Sequence, residues 1–357
     1  CMDTSTFIAS TASPIHYTSS WKSPSNIALI KYWGKKEPQI PKNPSLSFTL
    51  SSSKTKTKVI FSPHDKIEID FEFYFHGVQK PDFKPKLKTF FDRISAYIPW
   101  IDRYHLEIHS ENSFPHSSGI ASSASSMAAL SLCLMDLEQQ LFPEMEQAYF
   151  FQKASFLARL GSGSAARSIQ GPVTLWGKNE TKKTSSDLFA VPFGSSLHSV
   201  FEEYQDTILL VDKGSKPVSS TQGHNLMHGH PFAENRFSQA TNHLSELIPI
   251  MESGALDDFI HLVELEALSL HAMMLTSSPY FILMQPNTLA IIQKVWEFRK
   301  ETLTPLCFTL DAGANVHLLY PNSFRTEIHS FIEGELSGFC QKGQYLFDAV
   351  GKGAKKV

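Results

Sequence analysis

The sequence predicts an α+β protein of two domains. Strand patterns and helix patterns fall in separate groups instead of strict βαβ alternation, which favours an α+β architecture. The chain has 357 residues, of which 42% are hydrophobic and 19% are charged, enough for about two domains of ordinary size. Because the composition turns polar and then apolar again between Gly177 and Ser199, we place an N-terminal domain at 1–195 and a C-terminal domain at 196–357.

The first half begins with a Ser/Thr-rich lead of about 20 residues, which we expect to be poorly ordered before a strand that starts by Tyr17 or Trp21. Alternating apolar residues between Lys58 and Phe75 predict a hairpin whose turn is Ser62 to Asp65. The remaining predicted elements of this half are a helix from Lys84 to Tyr97, a strand from His105 to His109 and a helix over 144–160.

The second half opens with a strand from Asp206 to Gly214 and continues mainly as helices. An apolar run near residues 305–320 predicts strand, interrupted at Asp311. We expect the basic tail GKGAKKV to be a frayed end. The predicted helices are Ala233 to Met251, Ala255 to Met274, Thr288 to Lys300 and Arg325 to Phe339.

A stretch of small residues from Pro115 to Ser125 reads PHSSGIASSAS, with five Ser, one Gly and two Ala. Serine at this density favours a loop. The following residues, Met127 to Leu137, have helical spacing, so the loop leads into the N-terminus of a buried helix. Free amides and the helix dipole at such a terminus can bind phosphate. A Ser-rich helix cap without a ligand is the alternative interpretation.

A second stretch of small residues, ARLGSGSAARSI, follows the helix over 144–160. Gly161 and Gly163 end that helix, Ser162 and Ser164 supply hydroxyl groups, and Arg167 offers a guanidinium suited to bidentate contact with a carboxylate or phosphate. The alternative is a plain helix–helix connection. Two such loops in one chain favour a ligand with two anionic groups.

Two charged residues interrupt apolar runs. Lys31 lies within NIALIKYW and Asp311 within FTLDAGANVHLLY. A buried charge needs a partner or a ligand. For Lys31, a lysine at a strand end whose ammonium reaches solvent is the alternative.

Several function classes lack support. A net charge of −3 does not indicate nucleic-acid binding. No apolar run is long enough for a membrane span and no signal peptide is recognisable, so we expect a cytoplasmic protein. Four dispersed cysteines without a CxxC pair are typical of reduced thiols. Neither HExxH beside His224, His228 and His230 nor a GxSxG elbow is present, which disfavours a zinc site and a serine hydrolase.

The motifs together resemble the diphosphomevalonate decarboxylase family of the GHMP kinase superfamily, which includes galactokinase, homoserine kinase and mevalonate kinase. The resemblance covers nearly all of the chain after residue 20. The Ser-rich loop alone would indicate only the superfamily, whereas YWGK, GSGSAARS and LDAGAN are specific to the decarboxylases. The motifs that carry it are NIALIKYWGK, NPSLSFTL, PHSSGIASSAS, ARLGSGSAARSI, VSSTQG and FTLDAGANVHLLY.

This resemblance implies a reaction of the mevalonate pathway of isoprenoid biosynthesis. ATP, with Mg²⁺, phosphorylates the 3-hydroxyl of mevalonate 5-diphosphate, and loss of phosphate and CO₂ leaves isopentenyl diphosphate. It also implies a GHMP-kinase-like fold, with a ribosomal-protein-S5-type N-terminal half and a ferredoxin-like C-terminal half. The active site would lie between them, and such enzymes are commonly homodimers.

The family's site residues map onto this chain by motif. Asp311 would act at the 3-hydroxyl as general base or orienting group, Arg167 would hold the substrate carboxylate, and Lys31 would lie near the transferring phosphate. The implied substrate pocket comprises Tyr32, Lys35, Ser162, Ser164, Ser220 and Asn26, of which Ser164 and Asn26 could equally be structural. The implied nucleotide site comprises Ser118, Gly119, Ala121, Ser122, Ser123 and Ser125, with Ser122 on the metal.

The chain departs from the family pattern at three places. Ala314 stands where the family usually has Pro, His224 where it usually has Met, and His116, Ser117 and Ser118 where TAA is more common. The exchange at Ala314 keeps the spacing to Asp311, whereas the polar exchanges near the phosphate loops could shift nucleotide affinity or mark a related substrate. The nearest alternative is a mevalonate 5-phosphate decarboxylase. The complete set of Asp311, Lys31 and Arg167 disfavours a small-molecule kinase without decarboxylation, and no residue supports a catalytically inactive binding relative.

Overall fold

In the computed structural model, the described residues are 3–114, 120, 122–214 and 218–357. They form an α+β fold of the two-domain GHMP-like type. The strands are β1 (Tyr17–Ile30), β2 (Lys35–Lys36), β3 (Ile40–Pro41), β4 (Ser45–Pro63), β5 (Asp70–Phe75), β6 (Val78–Gln79), β7 (Tyr104–Asn112), β8 (Val173–Trp176), β9 (Ala190–Pro192), β10 (Gln205–Leu209), β11 (Cys307–Leu310), β12 (Val316–Tyr320), β13 (Tyr345–Ala349) and β14 (Lys355–Lys356). The α-helices are α1 (Lys84–Ile94), α2 (Ser122–Leu141), α3 (Gln147–Gly161), α4 (Ser220–Asn225), α5 (Ala233–Ser253), α6 (Leu256–Leu275), α7 (Pro286–Thr302) and α8 (Arg325–Phe331).

The first half of the chain, together with β14 from the C-terminal tail, builds a large sheet whose strands run in the order β14-β1-β4-β7-β5-β6, with β8 paired to β4 and β9 paired to β8. Its longest pair, β1 and β4, is antiparallel from Tyr17 opposite Phe61 to Ile30 opposite Leu46. Along β4, Thr57, Val59 and Phe61 are buried while the residues between them are not, the two-residue period of a sheet with one covered face.

Helix α2 lies against this sheet and packs on β1 and α3. Its Ala, Leu and Met residues favour helix, and almost its whole length from Ala124 to Glu138 is buried. A helix that is apolar on all sides belongs in a core. Its first turn, at Ser122 and Ser123, is only half-buried.

The second half contains an antiparallel sheet in the order β11-β12-β10-β13, against which α6 and α7 pack. Strands β11 and β12 pair from Cys307 opposite Leu319 to Leu310 opposite Val316. The short connection between them carries Asp311 to Asn315, so the sheet fixes the position of the aspartate from both sides.

Three local expectations were wrong. The predicted hairpin does not form: β5 pairs in parallel with β7, because β4 already has β1 and β7 as neighbours. The lead contains the buried side chain of Phe7, which stacks on Phe156. The tail is not frayed, since Lys356 pairs with Trp21 across β14 and β1.

Most other predicted elements are confirmed within a few residues. The last helix is shorter than expected, because α8 ends at Phe331 and continues as a π-helical turn over Ile332–Leu336. Strand β13 was not predicted. In the part of the chain that the structure describes, no helix is long and apolar enough to cross a membrane.

Candidate active site

A cleft of about 570 Å³ is lined by residues from both halves of the chain. It brings together the three predicted catalytic residues, Lys31, Arg167 and Asp311, which are up to 280 positions apart in sequence. The other predicted site residues that line it are Asn26, Tyr32, Lys35, Ser122, Ser123, Ser162, Ser164 and Ser220.

Lys31 and Asp311 form an ion pair across the cleft wall. The lysine directly follows β1 and the aspartate directly follows β11, and Lys31 Nζ lies 3.1 Å from Asp311 Oδ1. The lysine side chain is 1% exposed and the aspartate side chain 32%. Burial lowers the pKa of Lys31, and the Asp311 carboxylate opposes that shift. A partly exposed carboxylate thus lines the cleft beside a buried ammonium.

Glu266 on α6 holds the backbone of Lys31. Its Oε2 accepts the Lys31 backbone N–H at 2.9 Å, and the carboxylate also accepts two bonds from Arg236 and one from His243. Burial raises the pKa of Glu266, but the hydrogen bonds from His243 and Arg236 and the charge of Arg236 outweigh burial and bring it to about 2. The lysine backbone is therefore anchored to a buried group that is ionised at neutral pH.

The backbone of Asp311 is held as well. The Nε2–H of His271 donates to the Asp311 carbonyl oxygen at 2.9 Å. Since a carbonyl only accepts, this bond places a proton on Nε2 of that ring.

Arg167 lies in a 3₁₀ turn over Gly163–Ser168 and is 2% exposed. Its guanidinium donates to the hydroxyls of Ser47, at 2.6 Å, and Ser45, and it lies over the Trp176 ring at 5.7 Å. Burial lowers its pKa to about 10. Among the described residues, no carboxylate lies within 4 Å of it, so its charge has only neutral partners at hydrogen-bond distance.

Lys35 is a second buried cation with a neutral partner. It is 6% exposed, and its Nζ donates to Gln39 Oε1 at 2.9 Å. Burial lowers the pKa of Lys35. A buried ammonium or guanidinium without a counter-ion is costly. Lys35 and Arg167 therefore mark the cleft as a site for an anionic ligand.

The smaller residues have different placements. Asn26 donates through Nδ2 to the Ser164 carbonyl and the Ser168 hydroxyl, so it braces the GSGS turn as well as lining the cleft. Ser123 Oγ lies 3.5 Å from Ser162 Oγ, which joins the two small-residue segments. Ser125 is not among the cleft-lining residues: its buried hydroxyl lies 2.6 Å from Thr55 Oγ1.

Three predicted nucleotide-site residues, Ser118, Gly119 and Ala121, lie outside the described residues. Within those residues, no three His, Cys, Asp or Glu side chains are grouped closely enough to hold a metal ion.

The cleft also has lining residues that the sequence did not assign to the site, among them Lys86 and His317. Lys86 on α1 lines the cleft, but on an amphipathic helix it looks like any surface lysine. His317 on β12 also lines the cleft, and its Nδ1 lies at hydrogen-bond distance, 2.8 Å, from Oδ2 of the buried Asp206. Burial lowers the pKa of His317, but the charge of Asp206 and this hydrogen bond raise it above the usual range. His317 interrupts the apolar strand segment VHLLY, and this interruption was the feature of the sequence that could have identified it as a site residue.

Residues 23–187 match the diphosphomevalonate decarboxylase-like N-terminal domain, and residues 207–349 match the mevalonate 5-diphosphate decarboxylase C-terminal domain. The diphosphomevalonate decarboxylase of Gibberella zeae is 30% identical over 322 residues, which cover 85% of this chain and 81% of that protein. The chain belongs to the diphosphomevalonate decarboxylase family. The family is one of decarboxylase enzymes.

Solved structures of the diphosphomevalonate decarboxylase family have the same fold. The mevalonate diphosphate decarboxylase of Staphylococcus aureus is 28% identical with a TM-score of 0.82, covering 96% of this chain and 98% of that one. A structure of MDDEF in complex with MVAPP, AMPPCP and magnesium is 28% identical with a TM-score of 0.81, covering 96% and 99%. Another relative, the phosphomevalonate decarboxylase of Haloferax volcanii, is 27% identical, covering 81% of this chain and 84% of that protein.

Proposed function

We infer that this chain catalyses the ATP-dependent decarboxylation of mevalonate 5-diphosphate to isopentenyl diphosphate, ADP, phosphate and CO₂. The observation that carries the proposal is the charge arrangement of the cleft. An aspartate paired with a buried lysine lies in the same cavity as two buried cations, Arg167 and Lys35, whose hydrogen-bond partners among the described residues are neutral. A substrate with a carboxylate, a hydroxyl and a diphosphate matches this arrangement group by group.

Asp311 is proposed to orient the substrate 3-hydroxyl and to take its proton as the phosphoryl group is transferred. The neighbouring Lys31 ammonium, 3.1 Å from the carboxylate, favours the ionised carboxylate that a proton acceptor requires. The same positive charge can stabilise negative charge that develops on the transferred group.

Arg167 is proposed to hold the substrate carboxylate. The two serine hydroxyls and the Trp176 ring fix the plane of the guanidinium, and a planar fork binds a carboxylate through two parallel bonds. Once the 3-hydroxyl is phosphorylated, the bond between C3 and the phosphate oxygen breaks and phosphate leaves. The C–C bond to the carboxylate also breaks, and its electrons form the new double bond as CO₂ departs. A fixed carboxylate keeps those bonds aligned.

The diphosphate is proposed to bind beside Lys35, with the hydroxyls of Tyr32, Ser162, Ser164 and Ser220 around it. All of these residues line the same cleft. Lys35 supplies the charge, and the serines supply short donors on a turn whose small residues allow close approach.

The residues present also fit MgATP. Ser122 and Ser123 line the cleft at the start of α2, where the helix dipole favours phosphate. A neighbouring apolar pocket of about 80 Å³ shares both serines and is walled by Phe73, Phe75 and Phe83, which suits a nucleotide base. When bound, Mg²⁺ would neutralise phosphate charge, with the Ser122 hydroxyl as its proposed ligand. Ser118, Gly119, Ala121 and Ser125 stay predictions for this nucleotide site.

The test is CO₂ release measured together with ADP formation under MgATP, using the wild type and Asp311→Asn. We expect equal amounts of CO₂ and ADP from the wild type and a loss of about 10³-fold or more in kcat for the variant. ADP without CO₂ would make the chain a kinase and would remove the role of Arg167. An Asp311→Asn variant as active as the wild type would remove Asp311 from the chemistry.

A second candidate substrate is mevalonate 5-phosphate. The relative from Haloferax volcanii is a phosphomevalonate decarboxylase, and the buried Lys35 could neutralise one phosphate as well as two. Both substrates are therefore assayed side by side. A higher kcat/KM with the monophosphate would keep the fold and the roles of Asp311 and Arg167 but change the substrate.

We also propose a cytoplasmic homodimer with a domain boundary near residue 195. The described cysteines Cys133, Cys307 and Cys340 are free and buried, in keeping with a reducing compartment. The boundary lies between the two family matches at 23–187 and 207–349. Light scattering after size-exclusion chromatography tests the dimer, and the mass of a single chain would refute it.

A further inference from the structure

The wall of the cleft contains a histidine, His224, whose ring is fixed on two sides. Its ring centroid lies 4.3 Å from that of Tyr32 and 4.7 Å from that of Trp33. The side chain is buried, with 8% of the residue exposed, yet it lines the cleft. Two aromatic contacts leave the imidazole little freedom to rotate, so it presents the same atoms to any ligand.

A backbone hydrogen bond also fixes the tautomer. The Gly34 N–H donates to His224 Nδ1 at 2.9 Å, and an amide N–H can only donate. Nδ1 therefore carries no proton, and the neutral ring carries its proton on Nε2. Among the described residues, none accepts a hydrogen bond from Nε2. The cleft wall thus holds an oriented donor whose acceptor can come from a ligand.

The surroundings keep this ring neutral. Burial, followed by the positive charges of Lys35 and Arg167, lowers the pKa of His224 to about 3. The ring is consequently a hydrogen-bond donor and not a third cation at neutral pH. Its two charged neighbours are the cations that require an anionic ligand, so an anion drawn by them comes within the reach of His224.

The phosphorylated end of the substrate is the better acceptor. Tyr32, whose ring contacts that of His224, has its hydroxyl at the GSGS turn, 2.7 Å from where a Cβ on Gly163 would stand. Lys35 follows Tyr32 by three residues on the same cleft-lining segment. These groups lie around the proposed phosphate position. The guanidinium of Arg167, by contrast, already donates hydrogen bonds to the hydroxyls of Ser45 and Ser47.

We propose that His224 is a substrate-binding, specificity-determining residue that donates its Nε2–H to a phosphate oxygen of the substrate. This inference rests on the proposed function and adds a donor that the sequence did not assign. A hydrogen bond to a charged group of this kind corresponds to a change of about 10- to 100-fold in affinity.

The test compares His224→Met, His224→Gln and His224→Asn with the wild type in the CO₂ assay. Methionine has similar length and cannot donate. Glutamine can place its amide nitrogen near the position of Nε2, while asparagine reaches only the position of Nδ1. We expect KM for the phosphorylated substrate to rise about 10-fold or more in the Met and Asn variants, with recovery to within about 3-fold in the Gln variant.

A merely structural role would give a different pattern. The proposal expects kcat to stay within about 3-fold of wild type and KM for ATP to stay within about 2-fold, since the donor contacts only the substrate phosphate. Equal loss in kcat and both KM values, or no rescue by glutamine, would overturn it. A wild type that releases CO₂ while His224→Met has an unchanged KM would overturn this inference alone; a wild type that never releases CO₂ would overturn the proposed function and this inference with it.

Discussion

Substitution of Glu266 by glutamine is expected to destabilise the protein strongly and to remove part of its acid sensitivity. The Glu266 side chain is completely buried on α6 and accepts bonds from Arg236, His243 and the Lys31 backbone. Glutamine has nearly the same shape but no charge, so it leaves the buried guanidinium of Arg236 without its counter-ion.

The magnitude follows from the pKa of Glu266, about 2 in the folded protein against an ordinary value of 4.5. A carboxyl whose pKa is lowered on folding stabilises the fold above its unfolded pKa, and this stability is lost as the pH falls toward the folded pKa. A shift of this size corresponds to about 3 kcal/mol at pH 7. Loss of one partner of a buried ion pair costs a similar amount, about 3–5 kcal/mol.

Urea unfolding followed by tryptophan fluorescence, between pH 7 and pH 3.5, measures this contribution. The free energy of unfolding of Glu266→Gln should lie about 3 kcal/mol below wild type at pH 6 and above, and the difference should shrink by about 1 kcal/mol at pH 3.5.

The matched control for this experiment is Glu264→Gln on the same helix. Glu264 binds Arg299 and Trp296 instead of the backbone of Lys31, and it does not line the cleft. This variant should lower stability while leaving CO₂ release per folded molecule unchanged. A Glu266→Gln difference below 1 kcal/mol at pH 7, or one that does not change with pH, would refute the reasoning.

Three further perturbations test other parts of the structure. Arg167→Lys keeps the charge but loses the planar fork, so kcat for CO₂ release should fall about 100-fold; near-normal kcat would contradict carboxylate binding by this residue. Gly163→Ala would bring a Cβ to 2.7 Å from the Tyr32 hydroxyl and 3.0 Å from the Trp176 ring, so KM for the substrate should rise about 5-fold or more and the thermal midpoint should fall; an unchanged KM would separate Tyr32 from the substrate pocket. Deletion of residues 355–357 removes β14 and the half-exposed cation 2.7 Å from the buried Asp136, which should lower the free energy of unfolding in urea by about 1–3 kcal/mol, whereas Lys355→Ala should lower it by less than about 1 kcal/mol.

The sequence was sufficient to find the residues that interrupt apolar segments. Lys31 and Asp311 stand in strand-like runs, where an unpaired charge would be costly, and the structure places them 3.1 Å apart. Lys86 offered no such contrast, because charged residues are ordinary on an amphipathic helix. Glu266 on α6 could not be recognised for the same reason, although it accepts the backbone N–H of Lys31.

Strand pairing was harder to predict than strand position. Hydrophobic alternation marked β4 and β5 correctly as strands, but it carries no information on which edge is free. The prediction of a hairpin was wrong because β7, which begins more than 40 residues downstream of β4, pairs with β4 over nine positions. The prediction of a frayed tail was wrong because β14 joins the sheet mainly through backbone hydrogen bonds and the Lys356–Asp136 contact. Neither interaction requires an apolar pattern in GKGAKKV, so the sequence gives no sign of the strand.

The charges of the cleft explain why its residues are held by so much supporting structure. Lys31, Lys35 and Arg167 place three buried cations around one cavity, and Asp311 compensates only the first of them at hydrogen-bond distance. Burial disfavours the charged forms of Lys35 and Arg167, and the charges of Glu37 and Asp311 oppose this effect from a longer distance, so the fold must offset the remaining cost elsewhere. The guanidinium of Arg167 is held by the hydroxyls of Ser45 and Ser47 and by the Trp176 ring. The backbone of Lys31 is held by the ionised Glu266. An anionic substrate supplies the opposite charge for Lys35 and Arg167. The fold already holds these cations in position, so they contribute binding energy to the substrate carboxylate and phosphates.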